Sequence, residues 1–122
     1  MYRIAKSFEF SSAHFLMDLP EGHQCARLHG HNYTVELELQ ARDLTEVGFV
    51  KDYNELKPFK DWLDETVDHQ SLNDVCPMNP TAENLAYWFY TQALAVLDLP
   101  YDVHVVACRV KETPKTTAEY RP

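Results

Sequence analysis

The sequence predicts an α+β domain in which an antiparallel sheet carries two helices on one face. Two segments near the N-terminus alternate between apolar and polar residues, as half-buried strands do. Two central segments place apolar residues three and four positions apart, as amphipathic helices do. Further strand-like segments follow, so the predicted order is β-β-α-α-β-β, which is typical of α+β proteins. The length of 122 residues fits a single domain over 1–122.

The first two strands are predicted over residues 3–10 and 32–41, which show a period of two. Their apolar positions are Ile4, Phe8 and Phe10 in the first strand and Tyr33, Val35, Leu37, Leu39 and Ala41 in the second. The segment between them, 11–31, contains Pro20 and Gly22 and shows no such alternation. Connections this long in a small domain are usually functional.

The first helix is predicted after the second strand, with apolar residues at helical spacing. They are Tyr53, Leu56, Phe59, Leu63 and Val67. Asp52 followed by Glu55 is typical of an N-cap and capping box. Pro58 would remove a hydrogen bond in the second turn. Two alternatives follow: a helix kinked at this proline, or a capped turn over 52–56 and a main helix with Pro58 at its first position.

The second helix is predicted to begin after Thr81, which can cap it, with Glu83 suited to the positive N-terminus. Its broad apolar stripe consists of Leu85, Trp88, Phe89, Ala93, Val96 and Leu97. The Leu99-Pro100 pair ends it.

A third strand is predicted over 102–112 and a short fourth strand over 116–121. One face of the third strand carries Val103, Val105 and Ala107, and the other carries Val106, Cys108 and Val110. Because both faces are apolar, we expect this strand to be more deeply buried than the second.

Composition narrows the possible functions. With 19 acidic and 11 basic residues the net charge is −8, which argues against binding to nucleic acids. No apolar run is long enough for a membrane helix and the N-terminus does not resemble a signal peptide, so no membrane partner is expected. Three widely spaced cysteines, at positions 25, 76 and 108, are typical of reduced thiols and favour a cytoplasmic location.

Histidines provide the strongest functional signal. His29 and His31 are two residues apart, so an extended chain places both imidazoles on one face. His14 follows the first strand, and antiparallel pairing of the first two strands would bring it to the same place. Three histidines with an open fourth position are typical of a catalytic zinc site.

Cys25 lies four residues before His29 and has two possible roles. It could be the fourth ligand of a closed structural zinc site. Alternatively, it lies beside the metal, where positive neighbours would favour the thiolate and make it a general base or nucleophile.

Two further sites carry acidic residues. Asp68 and His69 end the first helical pattern, where a histidine interacts favourably with the helix dipole and the pair is typical of an exposed helix end. Glu112 ends the apolar third strand. It is either a solvent-exposed residue at the end of that strand or an acceptor for paired N–H donors of a heterocycle.

Taken together, six segments resemble the pterin-synthase family in order and spacing. They are FSSAH (10–14), EGHQCARLHGHNY (21–33), KDYNELK (51–57), VDHQSLND (67–74), NPTAENLA (79–86) and VKET (110–113). The resemblance implies the tunnelling fold, in which subunits associate through their sheet edges, and a homo-oligomer, typically a hexamer made of two trimers. It also implies a small-molecule pterin triphosphate substrate.

The resemblance implies a role for each matched residue. His14, His29 and His31 match Zn²⁺ ligands, Cys25 the catalytic thiol, Asp68 and His69 the proton relay, and Glu112 the carboxylate that anchors the pterin ring. Arg27, Lys6 and Lys115 are candidates for contacts with the substrate's phosphates.

The compact loop between Cys25 and His29 is similar to the branch of the family that serves queuosine biosynthesis. That branch converts 7,8-dihydroneopterin triphosphate to 6-carboxy-5,6,7,8-tetrahydropterin, acetaldehyde and triphosphate, as a zinc-dependent carbon–carbon lyase. The alternatives are a lyase that forms 6-pyruvoyltetrahydropterin and, from another class, a non-catalytic zinc-stabilised pterin-binding module.

Overall fold

The computed structural model describes residues 1–122 and contains a four-stranded antiparallel sheet, as predicted. The strands are β1 (Tyr2–His14), β2 (His29–Ala41), β3 (Val103–Lys111) and β4 (Ala118–Tyr120). They lie in the order β1-β2-β3-β4, so each strand pairs with its neighbours in sequence. β1 and β4 are therefore the edges of the sheet.

The chain crosses from β2 to β3 through three helices. They are α1 (Lys57–Thr66), α2 (Leu72–Val75) and α3 (Ala82–Val96). The Thr81 side chain accepts a hydrogen bond from the Asn84 N–H and caps α3, as predicted. The short α2 was not predicted, because a single turn shows no periodicity. None of these helices combines the length and apolar character needed to cross a membrane.

The chain before α1 resolves the question raised by Pro58. A 3₁₀ turn, Tyr53–Leu56, is capped by Asp52, whose carboxylate accepts from the Asn54 N–H at 2.9 Å. Pro58 then lies in the first turn of α1. The capped turn of the second alternative is therefore confirmed, although the main helix begins at Lys57, one residue before Pro58. A proline costs no hydrogen bond in the first turn of a helix.

Helices α1 and α3 cover the same face of the sheet, which confirms the predicted layers. Phe8 of β1 packs edge-on against Phe59 of α1, and Phe10 packs edge-on against Phe89 of α3. Phe10 also stacks on Tyr33 of β2 at 4.7 Å between ring centroids. These residues belong to one cluster of 22 buried residues, which holds the sheet and helices together.

The first two strands are longer than predicted, and the difference matters for the site. β1 continues to His14 and β2 begins at His29, with these two residues paired in the sheet. The connection is therefore 15–28, shorter than the predicted 11–31. Apolar alternation missed these strand ends because they are built from serine, histidine and glycine.

In β3 apolar residues occupy both odd and even positions. The sequence predicted that both faces of this strand are buried, but the structure shows that a β-bulge causes the pattern. Ala107 pairs with Glu38 and Val105 pairs with Leu39, so Val106 is an extra residue between them. This bulge reverses the alternation, which is how Val103, Val105, Cys108 and Val110 all join the core cluster.

The face of the sheet away from the helices is polar and crossed by ion pairs. Arg109 donates to Glu36 at 2.7 Å and Glu38 at 2.9 Å, and lies 2.8 Å from Glu119. Arg121 bonds Glu38 at 3.2 Å. Three strands are thereby joined on their polar side.

Candidate functional site

Three histidines meet where β1 and β2 reach the loop that connects them. His14 is paired with His29 in the sheet, and His31 lies two residues further along β2 on the same face. One nitrogen from each ring can be chosen so that all three lie within 4.8 Å of one another. This group can hold a metal ion, which confirms the convergence that the sequence predicts.

Hydrogen bonds to backbone carbonyls fix the tautomers of two of these rings. The Nδ1–H of His14 donates to the Pro80 carbonyl at 2.8 Å, and the Nδ1–H of His29 donates to the Arg27 carbonyl at 2.6 Å. In the neutral form of each ring Nε2 then carries a lone pair, and the two Nε2 atoms lie 3.0 Å apart. Such orienting bonds are typical of metal-ligating histidines.

The third ring has an unsatisfied nitrogen. His31 Nε2 is buried and has no hydrogen-bond partner. Burial lowers the pKa of both His14 and His31, and the neighbouring Glu112 charge only partly opposes this. Neutral rings with free lone pairs suit Zn²⁺, which prefers imidazole nitrogen and leaves a position open when three protein ligands bind it. The residues present therefore fit a zinc ion.

Tyr33 lies beneath the histidines and was not predicted as part of the site. Its ring is fully buried and its hydroxyl lies 3.2 Å from His14 Nδ1. Burial raises the pKa of Tyr33, so the phenol stays protonated. In the sequence it appeared only as an apolar position of the second strand, which hides its polar end.

Glu112 follows β3 directly and lies next to the histidines. Its Oε2 is 3.6 Å from His31 Nε2, and its side chain is 23% exposed. A cavity of about 400 Å³ opens beside it, with Leu16, Thr81 and Thr117 among its lining residues. The carboxylate is therefore accessible to a ligand from this cavity.

Asp68 and His69 form a pair beside the end of β1. Asp68 Oδ2 lies 2.9 Å from His69 Nδ1, and Asp68 Oδ1 accepts the Ser11 N–H at 2.9 Å. This backbone bond, with the help of His69, lowers the pKa of Asp68. The backbone of His69 has φ +56°, held by its N–H to the Ser11 carbonyl. Its imidazole is 82% exposed, with Nε2 free.

Cys25 lies in a 3₁₀ turn, Gln24–Ala26, within the connecting loop. Its N–H donates to His23 Nδ1 at 3.0 Å, and its carbonyl accepts the Leu16 N–H at 2.8 Å. The thiol is half-buried and does not belong to the group that could hold a metal. No hydrogen bond joins it to the acidic residues of the site.

The other two cysteines differ from Cys25 in their surroundings. Burial raises the pKa of Cys76 and of Cys108 to about 12. Cys108 is fully buried in the core. Both thiols are therefore protonated at neutral pH.

The three basic candidates are placed very differently. Arg27 lies beside His29, although only its carbonyl contacts the ring and its side chain is exposed. Lys6 is eight residues before His14 on β1, about 26 Å along the strand, and donates to the Tyr53 carbonyl. Lys115 is exposed in the turn before β4. Arg27 therefore contacts a histidine of the site through its backbone.

Comparison with known proteins places these features in a family context. The family model described as 6-pyruvoyl tetrahydropterin synthase matches residues 3–122. The 6-carboxy-5,6,7,8-tetrahydropterin synthase of Bacillus subtilis is 32% identical, over 99% of this chain and 86% of that protein. The protein of the same name from Rickettsia bellii is 28% identical, over 98% of this chain and 99% of that protein.

A solved structure extends the comparison to three dimensions. The 6-pyruvoyl tetrahydropterin synthase of Caenorhabditis elegans superposes with a TM-score of 0.86 at 25% identity, covering 99% of this chain and 95% of that one.

Proposed function

Because this chain belongs to the 6-pyruvoyl tetrahydropterin synthase family, we propose that it converts 7,8-dihydroneopterin triphosphate into 6-carboxy-5,6,7,8-tetrahydropterin, acetaldehyde and triphosphate. The proposal makes it a zinc-dependent carbon–carbon lyase of queuosine biosynthesis. The observation that carries it is the convergence of His14, His29 and His31 beside Glu112. A group that could hold a metal ion, beside a carboxylate that borders a cavity, supports metal-assisted chemistry on a small molecule.

His14, His29 and His31 would hold the Zn²⁺ ion through their ring nitrogens. When bound, the ion would act as a Lewis acid on the side-chain oxygens of the substrate. The carbonyls of Pro80 and Arg27 support this role, since they orient two of the rings before any ion binds.

Glu112 would anchor the pterin ring. An ionised carboxylate offers two acceptor oxygens, which match adjacent N–H donors on one edge of a heterocycle. The position of Glu112, 3.6 Å from His31 and beside a cavity, would place the substrate's side chain towards the histidines. Arg27 is the candidate for a phosphate contact at this end of the sheet.

Two groups would move protons. Cys25, as the thiolate, would accept a proton from a substrate carbon. His69 would handle a second transfer through Nε2, because its Nδ1–H is directed at Asp68. The Asp68 carboxylate stabilises the protonated ring, as an acid does in other histidine-based relays.

An oligomer would complete such a site. The outer edge of β1 has no partner strand, although its end at Ser11 and Ala13 bonds to residues 68–71, and β4 is a short edge of three residues. Open edges invite pairing with other chains. Within one chain no hydrogen bond joins the exposed His69 imidazole or the half-buried Cys25 thiol to the three histidines, which fits a site closed by a neighbouring subunit. We propose a homohexamer of two trimers, located in the cytoplasm, where three free cysteines would stay reduced.

The proposal is tested by the products. The purified protein, loaded with zinc, should release acetaldehyde and triphosphate from 7,8-dihydroneopterin triphosphate and form the 6-carboxy compound. Cys25→Ala and His69→Ala should abolish turnover while binding of the substrate persists. Formation of a 6-pyruvoyl product without acetaldehyde would contradict the proposal.

A second candidate is the pyruvoyl-forming reaction. It is favoured by the solved Caenorhabditis elegans structure, which bears that name and superposes over almost the whole chain. The relatives named for the 6-carboxy reaction outweigh it, since the Bacillus subtilis protein is 32% identical. The same product assay separates the two. Substrate binding without turnover would instead indicate the third alternative, a zinc-stabilised binding module.

A further inference from the structure

Two asparagine side chains bind the backbone of the first residues of the 15–28 loop. Their hydrogen bonds replace those that a neighbouring strand would make. The amide of Asn73 accepts the Phe15 N–H at 2.9 Å and donates to the Phe15 carbonyl at 2.9 Å. The amide of Asn79 does the same for Met17, at 3.0 and 3.2 Å. Both backbone groups of two alternate residues are thereby satisfied by side chains, a pattern normally supplied by a strand.

The residue between them faces the other way. In an extended chain, successive backbone groups point in opposite directions. The Leu16 N–H accordingly points away from the asparagines and donates to the Cys25 carbonyl at 2.8 Å. The Leu16 side chain lines the cavity beside Glu112. One short segment, 15–17, thus connects the asparagines to the thiol-bearing turn and to that cavity.

The asparagines are themselves attached to well-anchored parts of the fold. Asn73 lies in α2, next to the fully buried Leu72. The Asn79 carbonyl accepts from the Thr81 N–H at 2.9 Å and from the Asn84 side chain at 2.9 Å, at the start of α3. The backbone of each asparagine is therefore anchored to a helix that packs on the core.

We propose that Asn73 and Asn79 are positioning residues for Cys25, acting through the segment 15–17 and the Leu16–Cys25 hydrogen bond. The inference rests on the proposed catalytic role of Cys25 and assigns a function to two residues that the sequence motifs contain without explaining. Because the thiol has no hydrogen bond of its own to the rest of the site, its place depends on the backbone of its turn. Misplacing a catalytic group by about 1 Å can cost roughly 100-fold in rate.

The test uses Asn73→Leu and Asn79→Leu, which keep side-chain size and remove the amide. The matched control is Asn54→Leu, at an exposed asparagine whose side chain makes no hydrogen bond. Two measurements on the zinc-loaded protein report the loop directly: hydrogen exchange of the Leu16 amide and tryptic cleavage after the exposed Arg27. Both should accelerate by about tenfold or more in the two test variants and stay unchanged in the control.

Kinetics then separate positioning from stability. With 7,8-dihydroneopterin triphosphate, kcat should fall about 10- to 100-fold in each test variant. KM should change less than about threefold, because Glu112 is untouched. Leu97→Ala, which shortens a buried side chain at the far end of α3, supplies a destabilised variant that should keep wild-type kcat.

Three outcomes would overturn the inference. The first is wild-type exchange at Leu16 and wild-type cleavage in the test variants. The second is faster exchange with unchanged kcat. The third is loss of zinc, which would make the amides supports of the metal centre. If the wild-type protein itself shows no turnover, the proposed function fails. The positioning role then fails with it, even if the exchange and cleavage results show that the asparagine amides hold the loop.

Discussion

His14 Nε2 lies 3.0 Å from His29 Nε2, and each ring directs its Nδ1 proton at a backbone carbonyl. Two imidazole lone pairs at this distance repel each other unless a proton or a metal ion lies between them. The fold keeps them together through strand pairing and through the Pro80 and Arg27 carbonyls. Bonds that involve no ion therefore hold these rings in an arrangement that could bind a metal.

Zinc binding should depend on these rings and not on the nearby thiol. We expect about one Zn²⁺ per chain in the wild-type protein and in Cys25→Ala, because Cys25 lies outside the histidine group. His29→Ala should lose most of the metal. Atomic absorption on protein dialysed against trace zinc measures both variants. Loss of zinc in Cys25→Ala would instead identify a closed site with a cysteine ligand.

Removing the metal should weaken the fold without unfolding it. The cluster of 22 buried residues is built from sheet and helices and does not include the histidines. The chelated protein should therefore keep its far-UV circular dichroism and lose thermal stability. An ion present at about 1,000 times its Kd contributes about 4 kcal/mol, which sets the scale of the fall in Tm. Unfolding on chelation would favour a zinc-stabilised module instead.

Glu112→Gln should weaken substrate binding. The change keeps the shape of the side chain but turns one acceptor oxygen into a donor, which in the proposed binding mode would face the N–H donors of the pterin. Losing a hydrogen bond to a charged group costs about 1.5–3 kcal/mol, which is roughly 10- to 150-fold in Kd.

Isothermal titration with a non-reactive pterin measures the effect of Glu112→Gln, and zinc content serves as the control. Glu83→Gln, on the wall of the same cavity, is the matched comparison. Equal affinity in Glu112→Gln and the wild type would remove Glu112 as the anchor.

Cys25 should be the first thiol that iodoacetamide labels at about pH 7. Cys76 and Cys108 have pKa values raised to about 12 by burial, so almost none of either is thiolate there. Turnover should fall in step with modification of Cys25, followed by peptide mass mapping, while zinc stays bound. If Cys25 reacts only after zinc has been stripped, it is a ligand and the proton-transfer role assigned to it is wrong.

Periodicity predicted the layers of this fold but missed parts of its site. Apolar alternation identified the middle of β1 and of β2. However, β1 continues through Ser11 to His14, and β2 already begins at His29, and the polar side chains at these ends do not show the alternation. The bulge at Val106 looked like burial on two faces, because a shift in alternation and a doubly apolar strand give similar patterns.

The geometry of the site depends on long-range contacts that no local pattern contains. Pro80 is 66 residues after His14 in the sequence and accepts a hydrogen bond from it through its backbone carbonyl. Every residue has such a carbonyl, so the residue type does not indicate this role. Asn73 and Asn79 lie in two of the family-like segments, 67–74 and 79–86, but their partners are backbone atoms of a distant loop. Residue types predicted the chemistry, and tertiary contacts decide its orientation.

The ion pairs on the polar face of the sheet should make stability sensitive to acid through Glu38. Burial alone would push the pKa of Glu38 upward, but the hydrogen bonds and charges of Arg109 and Arg121 outweigh it and hold that pKa below its ordinary value of 4.5. A carboxylate with a lowered pKa stabilises the folded state fully above its unfolded pKa. The contribution is lost as the pH falls through the folded pKa.

Glu38→Gln should therefore be less stable than the wild type at about pH 7, by up to about 3 kcal/mol, because it loses a charge-assisted contact that Arg109 shares with Glu36 and Glu119. The difference should shrink steadily below about pH 4.5, as protonation removes the same charge from the wild type. Urea denaturation at several pH values measures it, with the exposed Glu46→Gln as a control that should show no difference at any pH. A gap between Glu38→Gln and the wild type that stayed constant down to about pH 3 would show that the Glu38 charge does not stabilise the sheet.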